Sequence, residues 1–172
     1  PDGYLVDDFF ISFHAMLKGG EAINDLSAEC FESASHDIWQ EYKRKSRISA
    51  GNFQNLSYIF NRWNEVRGQL KFCFISHKVL RWLVPFLLVG SLISVLALSV
   101  LGLQLYNSLF VIGLIGAVLI PLLDVVFMRV GWHFGVFRKI RYFIIMNIAL
   151  LSGFFRYVKG IQNGFWEPPK RV

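Results

Sequence analysis

Two adjacent carboxylates, Asp7 and Asp8, and a run of cations, Arg44, Lys45 and Arg47, are the residues of this chain best suited to chemistry. A carboxylate can take the proton of a hydroxyl as a general base. Guanidinium groups are planar, permanently charged and matched to phosphate, so they can stabilise a departing diphosphate. Together they would serve transfer of a group from a diphosphate to a hydroxyl. The plainer reading of Asp7-Asp8 is helix capping, because aspartate is favoured at helix starts for hydrogen-bond and dipole reasons.

These residues need elements to hold them. Asp7 to Leu17 is expected as a helix that Asp7 or Asp8 can cap. Phe9, Phe13, Met16 and Leu17 form its apolar face, and Gly19-Gly20 stop it. Glu21 to Phe31 reads as an extended segment or strand. Ser35 is expected to cap a second helix through about Lys45, with Ile38, Trp39 and Tyr42 buried. Two helices around a short strand fit the closing part of an α/β domain, and roughly fifty residues are too few for an independent core. Asn52 to Phe72 reads as an amphipathic helix. Phe53, Leu56, Ile59, Phe60, Trp63, Val66 and Leu70 form its stripe, and Asn55, Asn61, Arg62, Asn64, Glu65 and Gln69 its polar side. Such a helix before a span suits the membrane interface.

Composition points the same way. Of 172 residues, 54% are hydrophobic and only 17% charged, below the roughly 25% usual for a soluble domain. Trp82 through Leu123 contains no Asp, Glu, Lys or Arg, while one bilayer crossing needs about 20 apolar residues. Spans are expected at about 82–102, 105–127 and, more weakly, 142–158. The net charge of +6 is concentrated in Lys43, Arg44, Lys45, Arg47, Arg62, Arg67, Lys71, Lys78 and Arg81, before the first span. Basic flanks mark the cytoplasmic side and meet anionic lipid. Arg129, Arg138, Lys139 and Arg141 return that charge after the second span. A basic stretch tied to a membrane anchor argues against nucleic acid as a partner. Cys30 and Cys73 lack metal-ligand or CxxC spacing and are expected as buried thiols. The chain begins with Pro1 and shows no signal-peptide pattern, so a preceding segment is expected.

Val6-Asp7-Asp8-Phe9, and then Arg44 through Leu56 (RKSRISAGNFQNL), resemble the late catalytic region of bacterial membrane-bound family 2 glycosyltransferases, the group of cellulose, hyaluronan and poly-N-acetylglucosamine synthases. Ser76 through Pro85 resembles the pre-span signature of the same group. Met146-Asn147, and Trp166-Glu167-Pro168 with Arg171, continue the likeness to the end of the chain. The resemblance implies the C-terminal part of an inverting glycosyltransferase at the bacterial cytoplasmic membrane, serving cell-envelope polysaccharide biosynthesis. It also implies a mainly α membrane protein, with 1–51 closing a GT-A-type α/β catalytic domain. Residues 52–80 would be an interfacial helix, 81–160 a region of two to three transmembrane helices, and 161–172 a tail.

On the same ground Asp8 matches the base for the acceptor hydroxyl, with Asp7 as companion. Arg47 matches the arginine of the Q-x-x-R-W motif that binds the donor diphosphate. Arg44, Arg47, Ile48, Gly51 and Asn52 form the implied substrate-binding set. Arg44 stands where that motif has Gln, and Ile48 where it has Trp. Loss of that tryptophan favours addition of one or a few sugars over long-chain processivity. The implied partners are a nucleotide-sugar donor, a glycan or lipid-linked acceptor, and membrane lipids. The implied cofactor is Mg²⁺ or Mn²⁺, its D-x-D ligands expected before Pro1, so that this stretch alone would be inactive.

Other residues invite weighing. His77, Lys78 and Arg81 suit either lipid phosphate or a plain interfacial flank. Asp124 is an acid near the end of the second span, with Arg129 close enough in sequence to pair with it. Gly131-x-x-x-Gly135 has helix-packing spacing outside a clear span. His14 and His36 lack ligand spacing. Arg156 would have to snorkel if the third segment crosses. A non-catalytic membrane scaffold or channel subunit is the competing reading of the whole chain. A polymerising synthase that exports its product is a third.

Overall fold

The computed structural model describes residues 4–21, 23, 25–31 and 37–160. The expectations for Ser35, His36 and the Trp166–Arg171 motif lie outside these residues. The described chain is mostly helical: α1 (Asp7–Leu17), α2 (Ile38–Asn61), a 3₁₀ turn (Trp63–Glu65), α3 (Gly68–Phe74), a π-helical turn (Ile75–Val79), α4 (Leu80–Val100), α5 (Gln104–Arg129) and α6 (Gly135–Val158). It divides into two compact units, residues 1–82 with 149–172, and residues 83–148. Each is described by itself.

In the first unit, α1 takes the expected bounds, but its carboxylates are not its cap. Val6 holds the N-cap position and provides no side-chain hydrogen bond. Asp7 and Asp8 already lie inside the helix, each accepting from the amide of the next residue, Asp8 N at 3.0 Å and Phe9 N at 2.8 Å. Phe13 is the buried member of the apolar face. Among the described residues between Glu21 and Phe31 there is no strand; Leu26-Ser27 form a turn, and Asp25 accepts from the Ser27 amide.

α2 differs most from expectation. Asp37 caps it, accepting from Trp39 N at 2.8 Å, and it continues past Lys45 to Asn61. The boundary placed at 51/52 therefore falls inside one helix. Ser46, Ser49, Ala50 and Gly51 fall between the two expected helices, yet all four are buried in this one. Small side chains at these positions let a second helix approach. Ser49 Oγ donates to Leu150 O at 2.7 Å, Ser46 Oγ lies 3.4 Å from Ser152 Oγ, and a Cβ on Gly153 would strike Ser46 O and Ser49. Phe53 packs edge-on to Phe154 at 5.0 Å. The expected helix Asn52–Phe72 is instead interrupted after Asn61 by the 3₁₀ turn, with Arg67 extended before Gly68 restarts the helix. Its stripe is only partly buried: Ile59 and Val66 are inside, whereas Phe60 is exposed and stacks on Trp63 at 5.1 Å. Asn55, expected on the polar side, is 1% exposed. Trp39, expected inside, is exposed and stacks on Tyr42. Both cysteines are exposed, contrary to the burial expected of them.

The second unit holds most of α4, all of α5 and the first part of α6. Two helical runs, Gly68–Val100 and Gln104–Arg129, are long and apolar enough to cross a membrane. The 21 residues of α4 span about 31 Å at 1.5 Å each, close to the roughly 30 Å of a bilayer core. Gly102, with φ +82°, makes the tight link between the two. α6 starts at Gly135, so Arg138, Lys139 and Arg141 belong to the helix and not to a loop before it. Asp124 is 1% exposed, and its partner is Arg141, at 2.7 Å, not Arg129. The contact is an ion pair whose angle departs from a linear hydrogen bond. Folding brings α6 back against α5, a proximity that sequence distance hides. Gly131, with φ +85°, turns the chain among Phe127, Trp132, Phe134 and Phe137.

Candidate functional site

The expected chemistry depends on whether the start of α1 and the middle of α2 meet. They meet through a backbone clamp on Leu5 and Val6. Arg47 Nη1 donates to Leu5 O at 2.9 Å, Leu5 N donates to Gln54 Oε1 at 3.1 Å, and Asn55 Nδ2 donates to Val6 O at 3.1 Å. Gly51 lies between these side chains on α2. A Cβ there would sit 2.5 Å from Val6 Cγ2 and 3.1 Å from Leu5 Cβ, so only glycine lets the segment lie flat on the helix. The backbone groups of Leu5 and Val6 thus find helix side chains where a sheet would supply strand neighbours.

An aromatic group fixes α1 further along. Phe10 lies 4.6 Å from Tyr58 and 4.5 Å from Tyr4, and His14 Nδ1 is 2.8 Å from the Tyr58 hydroxyl. Burial pushes the Tyr4 hydroxyl up, helped by Tyr58 and Tyr157 and opposed by Arg62.

With Leu5 and Val6 held, Asp7 and Asp8 follow directly and are exposed. Their charges reach Arg47. Burial lowers the Arg47 pKa, as do the cations of Arg156 and Arg44, while Asp7 and Asp8 raise it. Two carboxylates and three guanidinium groups therefore share one electrostatic neighbourhood.

Of the expected site residues, the fold brings Asp7, Asp8, Arg47 and Gly51 together. Arg44 belongs to the same field but is committed to Glu41, with Nε and Nη2 each 3.0 Å from a carboxylate oxygen. The cost of burying Glu41 is outweighed by Arg44 and Lys45, which hold its carboxyl below the usual range. Ile48 and Asn52 are half-buried on α2. Sequence reasoning missed Gln54, Asn55 and Arg156. Two amides one turn beyond a helical glycine were the available signal for the clamp; for Arg156 there was none short of the fold. Among the described residues no three His, Cys, Asp or Glu side chains gather at one point.

The profile of a family described as "Glycosyl transferase family group 2" matches residues 2–154. No curated protein and no solved structure matches the chain.

Proposed function

The chain belongs to glycosyl transferase family group 2, and from that premise we propose that it serves inverting transfer of a sugar from a nucleotide-diphosphate donor to a hydroxyl at the cytoplasmic face of a bacterial membrane. Asp8 takes the proton of the acceptor hydroxyl, whose oxygen attacks the anomeric carbon as the nucleoside diphosphate leaves from the opposite face. That single displacement inverts the anomeric centre. The cationic group of Arg47, Arg44 and Arg156 meets the charge that grows on the leaving diphosphate. Arg47 also positions the base, because its bond to Leu5 O holds the segment leading into Asp7-Asp8.

The observation that carries this reading is the clamp. By holding Leu5 and Val6 against α2, it supports a carboxylate pair and a guanidinium sharing one field although they are far apart in sequence. The two long apolar runs support insertion in a membrane. Basic residues on both sides of the α4–α5 hairpin, Lys78 and Arg81 before it and Arg129 and Arg138 after it, support a cytoplasmic start and finish. Mg²⁺ or Mn²⁺ rests on the family resemblance alone, and no step is drawn through it. Ile48 in place of the motif tryptophan favours short products, which mass analysis of the glycans would reveal.

The decisive experiment is Asp8→Asn in the protein expressed from its whole reading frame. Sugar transfer should fall by at least about a hundredfold while the protein still inserts in membranes. Undiminished turnover would remove Asp8 from the mechanism, whereas absence of transfer in the unaltered protein would favour a non-catalytic membrane subunit.

A further inference from the structure

Several cations of the first unit that follow α1 have visible work. Arg44 and Lys45 pair with Glu41, Arg62 pairs with Glu65, Arg47 holds Leu5, and Lys71 lies 5.2 Å from the centre of the Trp63 ring. Lys78 and Arg81 stand three residues apart at the start of the long apolar run Gly68–Val100. Both are exposed, and among the described residues neither has a carboxylate within 4.0 Å.

Their placement is set by the π-helical turn Ile75–Val79. One residue more per turn changes which side chains share a face, and such turns often occur at functional sites. Ser76 Oγ bonds Phe72 O at 2.7 Å and lies 2.6 Å from His77 Nδ1, which fixes the imidazole just before Lys78. Phe74 and Trp82 pack on the Phe9 ring at 6.2 and 5.9 Å, and Lys78 Nζ stands 5.4 Å from the centre of that same ring. Phe9 is the residue after Asp8. Arg81 is three residues beyond Lys78, a neighbour on the helix surface. Exposed apolar side chains flank the pair: Phe72 at 70%, Ile75 at 39% and Leu80 at 51%.

We propose that Lys78 and Arg81, with His77 beside them, bind the phosphate of a membrane amphiphile, and that this amphiphile is the sugar acceptor presented to Asp8. The inference deepens the catalytic reading above and rests on it for the word acceptor. Two cations without carboxylate partners supply charge complementarity to a phosphate. The surrounding Phe72, Ile75 and Leu80 select a phosphate that carries hydrocarbon over one free in water. The Phe9 ring joins this patch to the base, since it touches Lys78 on one side and continues the chain from Asp8 on the other.

The test uses the full-length protein in phosphatidylcholine nanodiscs, titrated with short-chain phosphatidate and, separately, with inorganic phosphate. Phosphatidate should bind, and Lys78→Gln and Arg81→Gln should each weaken it by about tenfold or more. Lys159→Gln, a control at an exposed lysine after α6, should bind as the unaltered protein does. Equal binding by Lys78→Gln, Arg81→Gln and Lys159→Gln would overturn the site. Displacement by millimolar inorganic phosphate would overturn the amphiphile in favour of a free phosphate. Asp8→Asn separates this inference from the catalytic reading, because it should abolish transfer and leave phosphatidate binding intact. Turnover surviving in Asp8→Asn, with binding still lost in Lys78→Gln, would overturn Asp8 as the base and presentation of the acceptor to it, and leave the phosphate patch standing.

Discussion

In the unit formed by residues 1–82 and 149–172, Phe13, Phe53 and Ile59 are buried while Asp7 and Asp8 are exposed; in residues 83–148 the arrangement is reversed. There Leu87, Ile93, Ile112 and Val118 are exposed and Asp124 is buried against Arg141. The first arrangement suits water, which solvates charge and expels hydrocarbon. The second suits a solvent of hydrocarbon chains, where a charge must find its partner inside the protein. Glycine follows the same division. Gly51 and Gly153 are contact points where a methyl group would collide, whereas a methyl group added at Gly90 or Gly113 would meet nothing within 4 Å.

The sharpest way to break this comparison is Arg141→Leu, which strands the Asp124 carboxylate. The loss should be about 3–5 kcal/mol, read from denaturation in detergent micelles. Replacing both residues by leucine should recover most of it. If the double variant is as unstable as the single one, packing and not charge explains the site. Next comes alanine at glycine in each unit. Gly51→Ala should cost about 1–3 kcal/mol, since its Cβ meets Val6 and Leu5, and should lower turnover by moving Asp7-Asp8. Gly113→Ala should be neutral or stabilise by up to about 1 kcal/mol. Equal effects would erase the distinction drawn from packing.

The smallest effect concerns pH. The Glu41 carboxyl titrates below its usual value in the folded chain, so its contribution is complete above the ordinary glutamate pKa and is lost as pH falls through the lowered one. The unaltered protein should exceed Glu41→Gln in Tm near neutrality, by the worth of a pair of about 0.3–0.5 kcal/mol, and the two should converge in acid. A gap that persists well below the carboxylate range would assign the difference to something other than charge.

Much of this was legible in the sequence, and the limits have physical causes. The bounds of α1 follow from the acidic start, the apolar spacing and Gly19, which adopts φ +91°. The two long apolar runs announce themselves by composition. The length of α2 was hidden because Ser46, Ser49 and Gly51 carry two meanings, helix breaker and close-packing residue, and only the approach of Gly153 decides between them. The carboxylate pair and the run of cations stood out by their chemistry, and the family resemblance singled out Asp8 and Arg47 among them, but Asn55 and Gln54 could not be named. A polar side chain on a helix looks solvated until the backbone that it serves is seen. Asp124 was recognised as an acid needing a partner, and the nearer arginine in sequence was the wrong one.

The contact between Ser46, Ser49 and Gly153 has a consequence for biogenesis. The ribosome makes α2 long before it makes Leu150 and Gly153, and the apolar stretch between them is translated in the interval. The serine-bearing face of α2 thus stays uncovered until α6 emerges. A nascent chain stalled before residue 149 would expose that face to proteases, and synthesis through Gly153 would cover it.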